Sequence, residues 1–575
     1  MHNKWKDNNM RNDMNRRIIA AVCAVVMTGA MLTSCAKETG ESSKAESSSA
    51  GSQAVTTTAE PVVTLPATTK QVINSEPATY ESLSADKAEK ESFKKKIRSE
   101  SKIPVISVTT APDDMIASRE KYTSCVVDVF NCDEKLEINE ASAGIKVRGN
   151  SSAYYGDVSQ ILANKVPYRI KFDKKTNMLG LNNGAECKSW VLLKSDWDLI
   201  RNDIAFRFGR TIMGDSNFCS DGQLVHLYVN EEFQGVYELC EQCQINPNRV
   251  DISEPAEGYT DTDIGYYLEL DNYATSDEDN HYISMDYENA TVTDINGETR
   301  QFVPAEYSIK NDLYSQNQID FIDKYLKNLF KIVYEACENG KYYKFDENYD
   351  LVDSDVTTAE EAVSNVMDID SVRDMYILYE IVHDYDCGEG SFYMCVDLSK
   401  DSKCPKLKFT SPWDFNWAYN DSTEKYYAGA FTDKNFVAKK GDRSNPWFII
   451  LCKQDWFMAT VKEKWTEMSR EKLLQGCIKT EREYLKEYDA DLRKGEEWGP
   501  DSAEDLFNWI ENRIYWLNSQ WKIKSDVSNS ASLMINFIQL RQYRTKIVRQ
   551  MRSQIFCQIA QKFRRHTAVC QGIFV

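Results

Sequence analysis

The hydrophobic pattern of this chain changes period near its middle, and that change limits the folds open to it. Up to about residue 271, short runs alternate between apolar and polar residues, which is typical of β-strands. One segment there, 199–212, repeats its apolar residues at helical spacing. From about Gln316 onward, helical spacing dominates. This order predicts an α+β protein with a β-rich N-terminal lobe containing one helix, about 103–271, and a larger helical lobe, about 272–524.

Two acidic turns flank a short strand pair inside the helical half. Asp386 follows a helical segment and precedes a strand-like run, and Asp414 stands at the end of the next extended run. Carboxylates on the two sides of a hairpin suit phosphoryl transfer, because one orients the attacking hydroxyl while the other holds a phosphate-bound metal. We therefore predict Asp386 as the catalytic residue, with Asp384 as the alternative. Asp414 is the predicted principal metal ligand, Asn416 a second ligand and Asn420 a weaker one.

Charge and histidine content argue against several other classes of protein. The formal net charge is -20, whereas nucleic-acid binding needs concentrated Lys and Arg, so no nucleic-acid partner is expected. Of the five histidines, His2 lies in a predicted leader and His566 in the C-terminal tail. The other three are well separated along the chain, which argues against a multi-histidine zinc site. The chain also has no G-x-S-x-G nucleophile motif.

The N-terminus has the layout of a bacterial lipoprotein leader. Two arginines precede an apolar run, 18–32, that is too short to span a bilayer comfortably. The run ends in Leu32-Thr33-Ser34-Cys35, which resembles a lipobox; an ordinary signal peptide with a chance cysteine is the alternative. We predict a signal peptide over 1–35. The mature protein would then be extracytoplasmic and held on the bacterial cell membrane by lipid on Cys35.

Two further segments lie outside the predicted folded domain. Residues 36–88 are rich in Ser, Thr, Ala and Glu and hold few large apolar residues, so they are predicted to form a disordered tether. Residues 529–575 are basic and contain no Asp or Glu. That tail is either an amphipathic helix lying on anionic lipid or a segment foreign to the domain, and the abrupt change in composition favours the second.

The cysteines show no clear framework. The chain has 16 of them, and their spacing matches no disulfide scaffold. Cys240 and Cys243 form a lone C-x-x-C, which is weak evidence for zinc or redox chemistry without a second pair. Most of the others lie in strand or helix patterns and are expected to be small core residues. Which of them pair, if any do, stays open.

Several short motifs along the chain occur in an order found in one known family. They lie at 147–152, 167–171, 199–202, 227–237, 248–251, 267–271 and 413–416. With these motifs the chain resembles the CotH family, spore-coat kinases with an atypical protein-kinase fold, over about 103–524. The resemblance implies a two-lobed kinase-like domain. It also implies transfer of the γ-phosphoryl group of ATP to Ser or Thr of a protein acceptor, with Mg²⁺ or Mn²⁺ as cofactor.

The resemblance also suggests a role for Lys171. This residue is similar to the strand lysine with which kinases neutralise nucleotide phosphates; a surface lysine on a half-exposed strand is the alternative. Kinases pair that lysine with a helix Glu, but segment 199–212 contains none. Glu269 or Asp271 could replace it from a strand, and Asp203 is a weaker candidate.

A polar turn is the second predicted nucleotide contact. Arg148, Gly149, Asn150 and Ser151 could offer backbone N–H groups and hydroxyls to phosphate oxygens, or form a plain hairpin turn. The family often carries Asp where this chain has Asn416, which removes a charge from the metal site. Together with the predicted export, this leaves a second hypothesis open, a catalytically silent cell-surface module used for adhesion or scaffolding.

Overall fold

The computed structural model describes residues 64–65, 73–194, 200–276, 281–287, 290–293, 299–302, 304–419, 445–495 and 500–521. All of them belong to one unit, residues 62–575. The predicted leader with Cys35, the candidate ligand Asn420 and the basic tail lie outside the described residues. Among the residues that are described, no helix is both long and apolar enough to cross a membrane.

The first seven strands close into a barrel. Neighbouring strands pair antiparallel around the ring, and a parallel pairing of the first strand with the sixth, Val105 opposite His226, closes it. Closure satisfies both edges of this sheet. The strands are β1 (Val105–Thr109), β2 (Thr123–Phe130), β3 (Ile138–Val147), β4 (Tyr168–Thr176), β5 (Cys187–Lys194), β6 (Gly222–Val229) and β7 (Glu232–Glu241).

Alternation along β4 shows how the sequence builds the barrel wall. Tyr168, Ile170 and Phe172 belong to the apolar cluster that fills the barrel. Arg169 and Lys171 stand between them and therefore point to the outer face, since successive strand residues face opposite sides. A slip of one residue would move two cations into the core, so the apolar cluster fixes the register.

Several side chains between residues 78 and 85, in the segment predicted as part of the tether, pack on the barrel. Tyr80 and Leu83 are buried against Val126 of β2, although the segment as a whole has few large apolar residues. Tyr80 also donates its hydroxyl hydrogen to the buried Asp128. A helix follows at once, beginning at Lys87 and capped by Asp86. A few buried side chains therefore anchor this segment to the barrel. Its average composition gives no sign of them.

The remaining strands form a five-stranded sheet and two small hairpins. The sheet has the order β16-β15-β8-β12-β9. Strand β8, predicted at the end of the N-terminal lobe, pairs with β15 and β12, and its side chains are buried on both faces. The strands are β8 (Gly265–Leu270), β9 (Tyr282–Met285), β10 (Thr291–Thr293), β11 (Thr299–Gln301), β12 (Ala305–Ile309), β13 (Tyr343–Phe345), β14 (Leu351–Asp353), β15 (Phe392–Asp397) and β16 (Lys408–Thr410).

The helices from residue 200 onward pack around a second and larger apolar core. The regular helices are α1 (Lys87–Glu100), α2 (Val158–Ala163), α3 (Ile200–Met213), α4 (Gln316–Tyr334), α5 (Ala359–Val366), α6 (Ile369–Val382), α7 (Phe448–Leu451), α8 (Asp455–Glu471), α9 (Leu473–Glu487), α10 (Asp489–Leu492) and α11 (Pro500–Gln520). A distorted helical turn, Leu181–Gly184, lies between β4 and β5. The predicted helix at 199–212 is α3, and its face of Ile204, Phe208 and Ile212 is buried in that core.

The predicted α+β class is confirmed. One detail of the prediction is wrong, because the N-terminal region contains α2 as well as α3. The strands of that β-rich region close into a barrel, which was not predicted. Closure depends on pairing Val105–Val108 with strand β6, more than a hundred residues later, which no local pattern signals.

Candidate functional site

The two acidic turns lie at the same end of the predicted hairpin. Strands β15 and β16 pair antiparallel, with Tyr393 opposite Thr410. In an antiparallel pair the start of one strand lies beside the end of the other. Asp386 precedes β15 and Asp414 follows β16, so the structure brings these two predicted site residues together.

Backbone strain is concentrated around this end of the hairpin. His383, Ser391, Ser411 and Asp414 all have positive φ angles, of 50°, 55°, 53° and 63°. Residues other than glycine seldom adopt this conformation, and when they do it is often at functional sites. The turns therefore hold Asp386 and Asp414 in positions that the local chain alone would not prefer.

Burial and mutual repulsion alter the acidity of the three aspartates. Burial and then the charge of Asp414 raise the pKa of Asp386 to about 7. Burial and then the charge of Asp386 raise the pKa of Asp384 well above its usual range. The pKa of Asp414 is also raised, chiefly by burial, while the positive charge of Arg148 opposes the rise. The cluster thus favours binding of a proton or a cation.

The structure gives the two competing aspartates different positions. Asp384 is 2% exposed, and its side chain accepts a hydrogen bond from the backbone N–H of Asp386 at 3.1 Å. Asp384 therefore shapes the turn. Asp386 stands on the turn itself and is less deeply buried. Of the two, Asp386 is the more accessible.

Helix α3 holds the turn that carries Asp414. Asn202 accepts a hydrogen bond from the backbone N–H of Phe415 at 3.0 Å and donates one from Nδ2 to Asn416 Oδ1 at 3.1 Å. Its neighbour Arg201 donates to the carbonyl oxygen of Ala418. Sequence reasoning gave these two residues no role in the site. The signal available was their place in the 199–202 motif.

Asp414 has polar neighbours on both carboxylate oxygens. Asn416 donates from Nδ2 to Oδ1 at 2.7 Å, and the Ser391 hydroxyl lies 3.5 Å from Oδ2. The guanidinium of Arg148 lies 5.6 Å from the ring centroid of Trp413, the residue before Asp414. The predicted phosphate turn of the barrel and the predicted metal ligand are therefore neighbours.

The turn after β3 requires a glycine. Gly149 has a φ of +94°, and a Cβ at that position would lie 2.2 Å from Ser152 Oγ. The side-chain oxygen of Asn150 accepts a hydrogen bond from Arg119. The backbone carbonyl oxygen of Asn150 accepts hydrogen bonds from the N–H groups of Ala153 and Tyr155. Asn150 and Ser151 are exposed at the tip of this turn.

Cations gather on the outer face of β3 and β4. Lys146 lies directly opposite Arg169 in the ladder, and Lys171 follows on the same face. The ammonium groups of Lys146 and Lys171 lie 5.0 and 6.0 Å from the ring centroid of Tyr122. Burial and the charges of Arg169 and Lys171 lower the pKa of Lys146 to about 8. Sequence reasoning selected Lys171 and missed the other two cations, although apolar and basic residues visibly alternate along this strand.

This basic face fits an anion. Like charges directly opposite on neighbouring strands repel each other. Arg169 donates to Ser189 Oγ at 3.4 Å, and its buried Nε has no hydrogen-bond partner among the described residues. A phosphate group would satisfy that donor and neutralise the cluster.

The predicted acidic partners of Lys171 make other contacts. Glu269 forms an ion pair with Lys310 at 2.7 Å, and Asp203 forms one with Arg207 at 3.1 Å. The side chain of Asp271 accepts a hydrogen bond from the N–H of Tyr273. Glu269 of β8 lies opposite Tyr393 of β15 and its charge raises the pKa of Asp414, so it is a neighbour of the acidic hairpin.

The site offers few ready-made metal ligands. In the described ranges, no three His, Cys, Asp or Glu side chains are grouped closely enough to hold a metal ion. Magnesium in nucleotide sites is commonly held by one or two carboxylates plus phosphate oxygens and water. Asp414, with its carboxylate among other acids, fits that pattern. Asn416 fits it less well, because its oxygen already accepts from Asn202.

Fold and site together define an α+β protein with paired acidic turns beside a basic strand face. Residues 145–543 match the family model described as CotH kinase protein. The match covers most of the chain, so the chain belongs to the CotH kinase family. No curated protein sequence matches it significantly. The predicted resemblance is confirmed, and the matched range extends into the basic segment that begins at residue 529.

Proposed function

We propose that this protein is an ATP-dependent protein kinase that phosphorylates Ser or Thr of an extracytoplasmic acceptor. One observation carries the proposal: the half-buried residues Asp386 and Asp414 share one end of a hairpin, and Arg148 of the barrel lies beside Asp414. Phosphoryl transfer needs one acid that orients the acceptor hydroxyl and another that binds a metal, with cations nearby that bind the phosphates.

In this mechanism Asp386 acts on the hydroxyl group of the acceptor protein. Its carboxylate orients the attacking hydroxyl and takes the proton as the new oxygen–phosphorus bond forms. The bond between the γ-phosphorus and the bridging oxygen breaks at the same time, and ADP leaves. A base works best when its pKa lies near the working pH, and burial raises the pKa of Asp386 to about 7. Asp384 supports this role through its hydrogen bond to the N–H of Asp386.

The nucleotide phosphates are assigned to the basic side of the site. Lys171, Lys146 and Arg169 supply positive charge from the outer barrel face, and Arg148 supplies it next to Asp414. Gly149, Asn150 and Ser151 allow the backbone to approach the phosphates closely. Asp414 is the ligand for Mg²⁺ or Mn²⁺, with Asn416 joining if its amide turns away from Asn202. The cation would neutralise charge on the phosphate oxygens.

The wider setting is part of the same proposal. We assign the barrel and the helical region to the two lobes of an atypical kinase, and the chain to the outer side of a bacterial membrane, anchored through Cys35. A catalytically silent surface module on the same fold is the second candidate. The observation that favours it is the Asn416 amide, which donates to Asp414 at 2.7 Å where a second carboxylate would strengthen a metal site.

The test is labelling with γ-labelled ATP in the presence of Mg²⁺ or Mn²⁺. The purified protein is incubated alone and with a Ser-rich acceptor, beside Asp414→Ala and the matched control Asp355→Asn. Asp355 is a suitable control because its carboxylate lies in an exposed surface ion pair. Label on the protein or acceptor that Asp414→Ala abolishes and Asp355→Asn keeps supports the kinase. Absence of both labelling and nucleotide-induced thermal stabilisation contradicts the kinase proposal and favours the catalytically silent module.

A further inference from the structure

Two cysteine sulfurs approach each other at the end of the hairpin opposite to the acidic turns. Cys395 lies in β15, and Cys404 lies in the loop that leads to β16. Their Sγ atoms are 4.0 Å apart. The backbone N–H of Asp397 donates to the carbonyl oxygen of Cys404 at 2.8 Å, so the main chain already holds the two segments together.

The surroundings of the pair are mostly apolar. Cys395 is 2% exposed within a cluster that includes Tyr267 and Val250, and Cys404 packs at the edge of the same cluster. Cys404 is half-buried, so an oxidant can reach its sulfur more readily than that of Cys395. Two sulfurs without further ligands do not make a zinc site, and within the described residues no metal-binding group occurs here.

We propose that Cys395 and Cys404 form a disulfide bond that closes the β15–β16 loop. A disulfide needs the sulfurs about 2 Å apart, so each has to move by roughly 1 Å, which side-chain rotation can supply. Disulfides persist in oxidising compartments, which agrees with the export proposed above. The pairing itself does not depend on kinase activity.

The bond would form by two thiol–disulfide exchanges with a disulfide oxidant such as oxidised glutathione. Cys404 loses its proton and attacks one glutathione sulfur, which releases one glutathione thiol and leaves a mixed disulfide. Cys395 then loses its proton, attacks the Cys404 sulfur and expels the second glutathione thiol. The hydrogen bond from Cys395 lowers the pKa of the Cys404 thiol, which favours Cys404 as the first nucleophile. The two cysteines are oxidised, and one glutathione disulfide is reduced to two thiols.

The experiment is non-reducing peptide mapping of the whole protein. The chain is unfolded, refolded in a glutathione buffer so that burial does not limit access, then alkylated and digested with trypsin. Cleavage after lysine and arginine places Cys404 in peptide 404–406 and Cys395 in peptide 374–400. We expect these two peptides to be joined and to separate on reduction. Recovery of both as fully alkylated peptides overturns the proposal.

Single variants identify the partner, because peptide 374–400 also contains Cys387. The link should persist in Cys387→Ser and disappear in Cys395→Ser and in Cys404→Ser. Reduction should lower the unfolding midpoint of Cys387→Ser but leave that of Cys404→Ser unchanged. A link that survives in Cys395→Ser, or one that is lost in Cys387→Ser, contradicts the pairing.

Discussion

Asn202 of α3 donates a hydrogen bond to Asn416 at 3.1 Å across 214 residues of sequence. The same side chain accepts from the N–H of Phe415, so a single buried amide satisfies two groups of the turn that carries Asp414. These contacts couple the position of α3 to the placement of Asp414.

Replacing Asn202 with Leu should loosen that turn. The change removes the acceptor of the Phe415 N–H and the donor to Asn416 Oδ1, which costs about 1–3 kcal/mol of unfolding free energy. Urea denaturation measures the loss, and nucleotide-induced thermal stabilisation should shrink with it. The control is Asn512→Leu at an exposed position of α11, expected to stay within about 0.5 kcal/mol of the parent protein. Equal effects of the two changes would contradict the proposed clamp.

Replacing Asp386 with Asn should alter both activity and pH dependence. Burial raises the pKa of Asp386 from 3.8 to about 7, so between those values the folded protein holds a proton that the unfolded chain has released. Stability contributed by this group therefore falls as pH rises through that window. In urea denaturation from pH 4 to 8, Asp386→Asn should flatten the dependence of the unfolding free energy on pH. It should also lower the rate of phosphoryl transfer by about 10²–10⁴-fold. An unchanged pH slope would show that Asp386 is not the group that titrates.

Replacing Lys146 with Met should stabilise the protein without nucleotide and weaken its binding of ATP. The neighbouring cations and burial lower the pKa of Lys146 to about 8, so removing this charge relieves repulsion with Arg169 at pH 7. In the parent protein, stability should rise with pH between about 8 and 10.5, because the unfolded chain binds the extra proton there. Thermal melts with and without ATP measure both effects. A variant that loses stability at pH 7 and keeps its ATP affinity would contradict the anion site.

Replacing Gly149 with Ala should distort the turn after β3. The new Cβ would lie 2.2 Å from Ser152 Oγ at a φ of +94°. Gly184→Ala is the matched control, since Gly184 has a φ of +84° but a Cβ added there would meet no described atom within 4 Å. Both should lose about 1 kcal/mol from the unfavourable φ angle. Only Gly149→Ala should also weaken ATP binding, as calorimetry would measure. Similar ATP affinities for both variants would show that this turn does not contact the nucleotide.

The local sequence predicted the parts of the site that lie close together in the chain. Asp386 and Asp414 could be placed at one hairpin because the strand runs between them are short and strongly patterned. The contribution of Asn202 could not be predicted, because a buried amide in a helix resembles any other polar residue until its distant partners are known. Lys146 and Arg169 stood in visible alternation, but only the β3–β4 register shows that they face each other.

The sequence by itself determined the α+β class, the strand and helix periods and the acidic hairpin, because these depend on side-chain spacing over a few residues. Only the tertiary structure decided that the first seven strands close into a barrel, that β8 joins the second sheet and that side chains between residues 78 and 85 pack on the barrel. Each of these depends on burying apolar surface or completing backbone hydrogen bonds between segments far apart in sequence. The free energy of such contacts is a property of the assembled core and is absent from any single stretch of the chain.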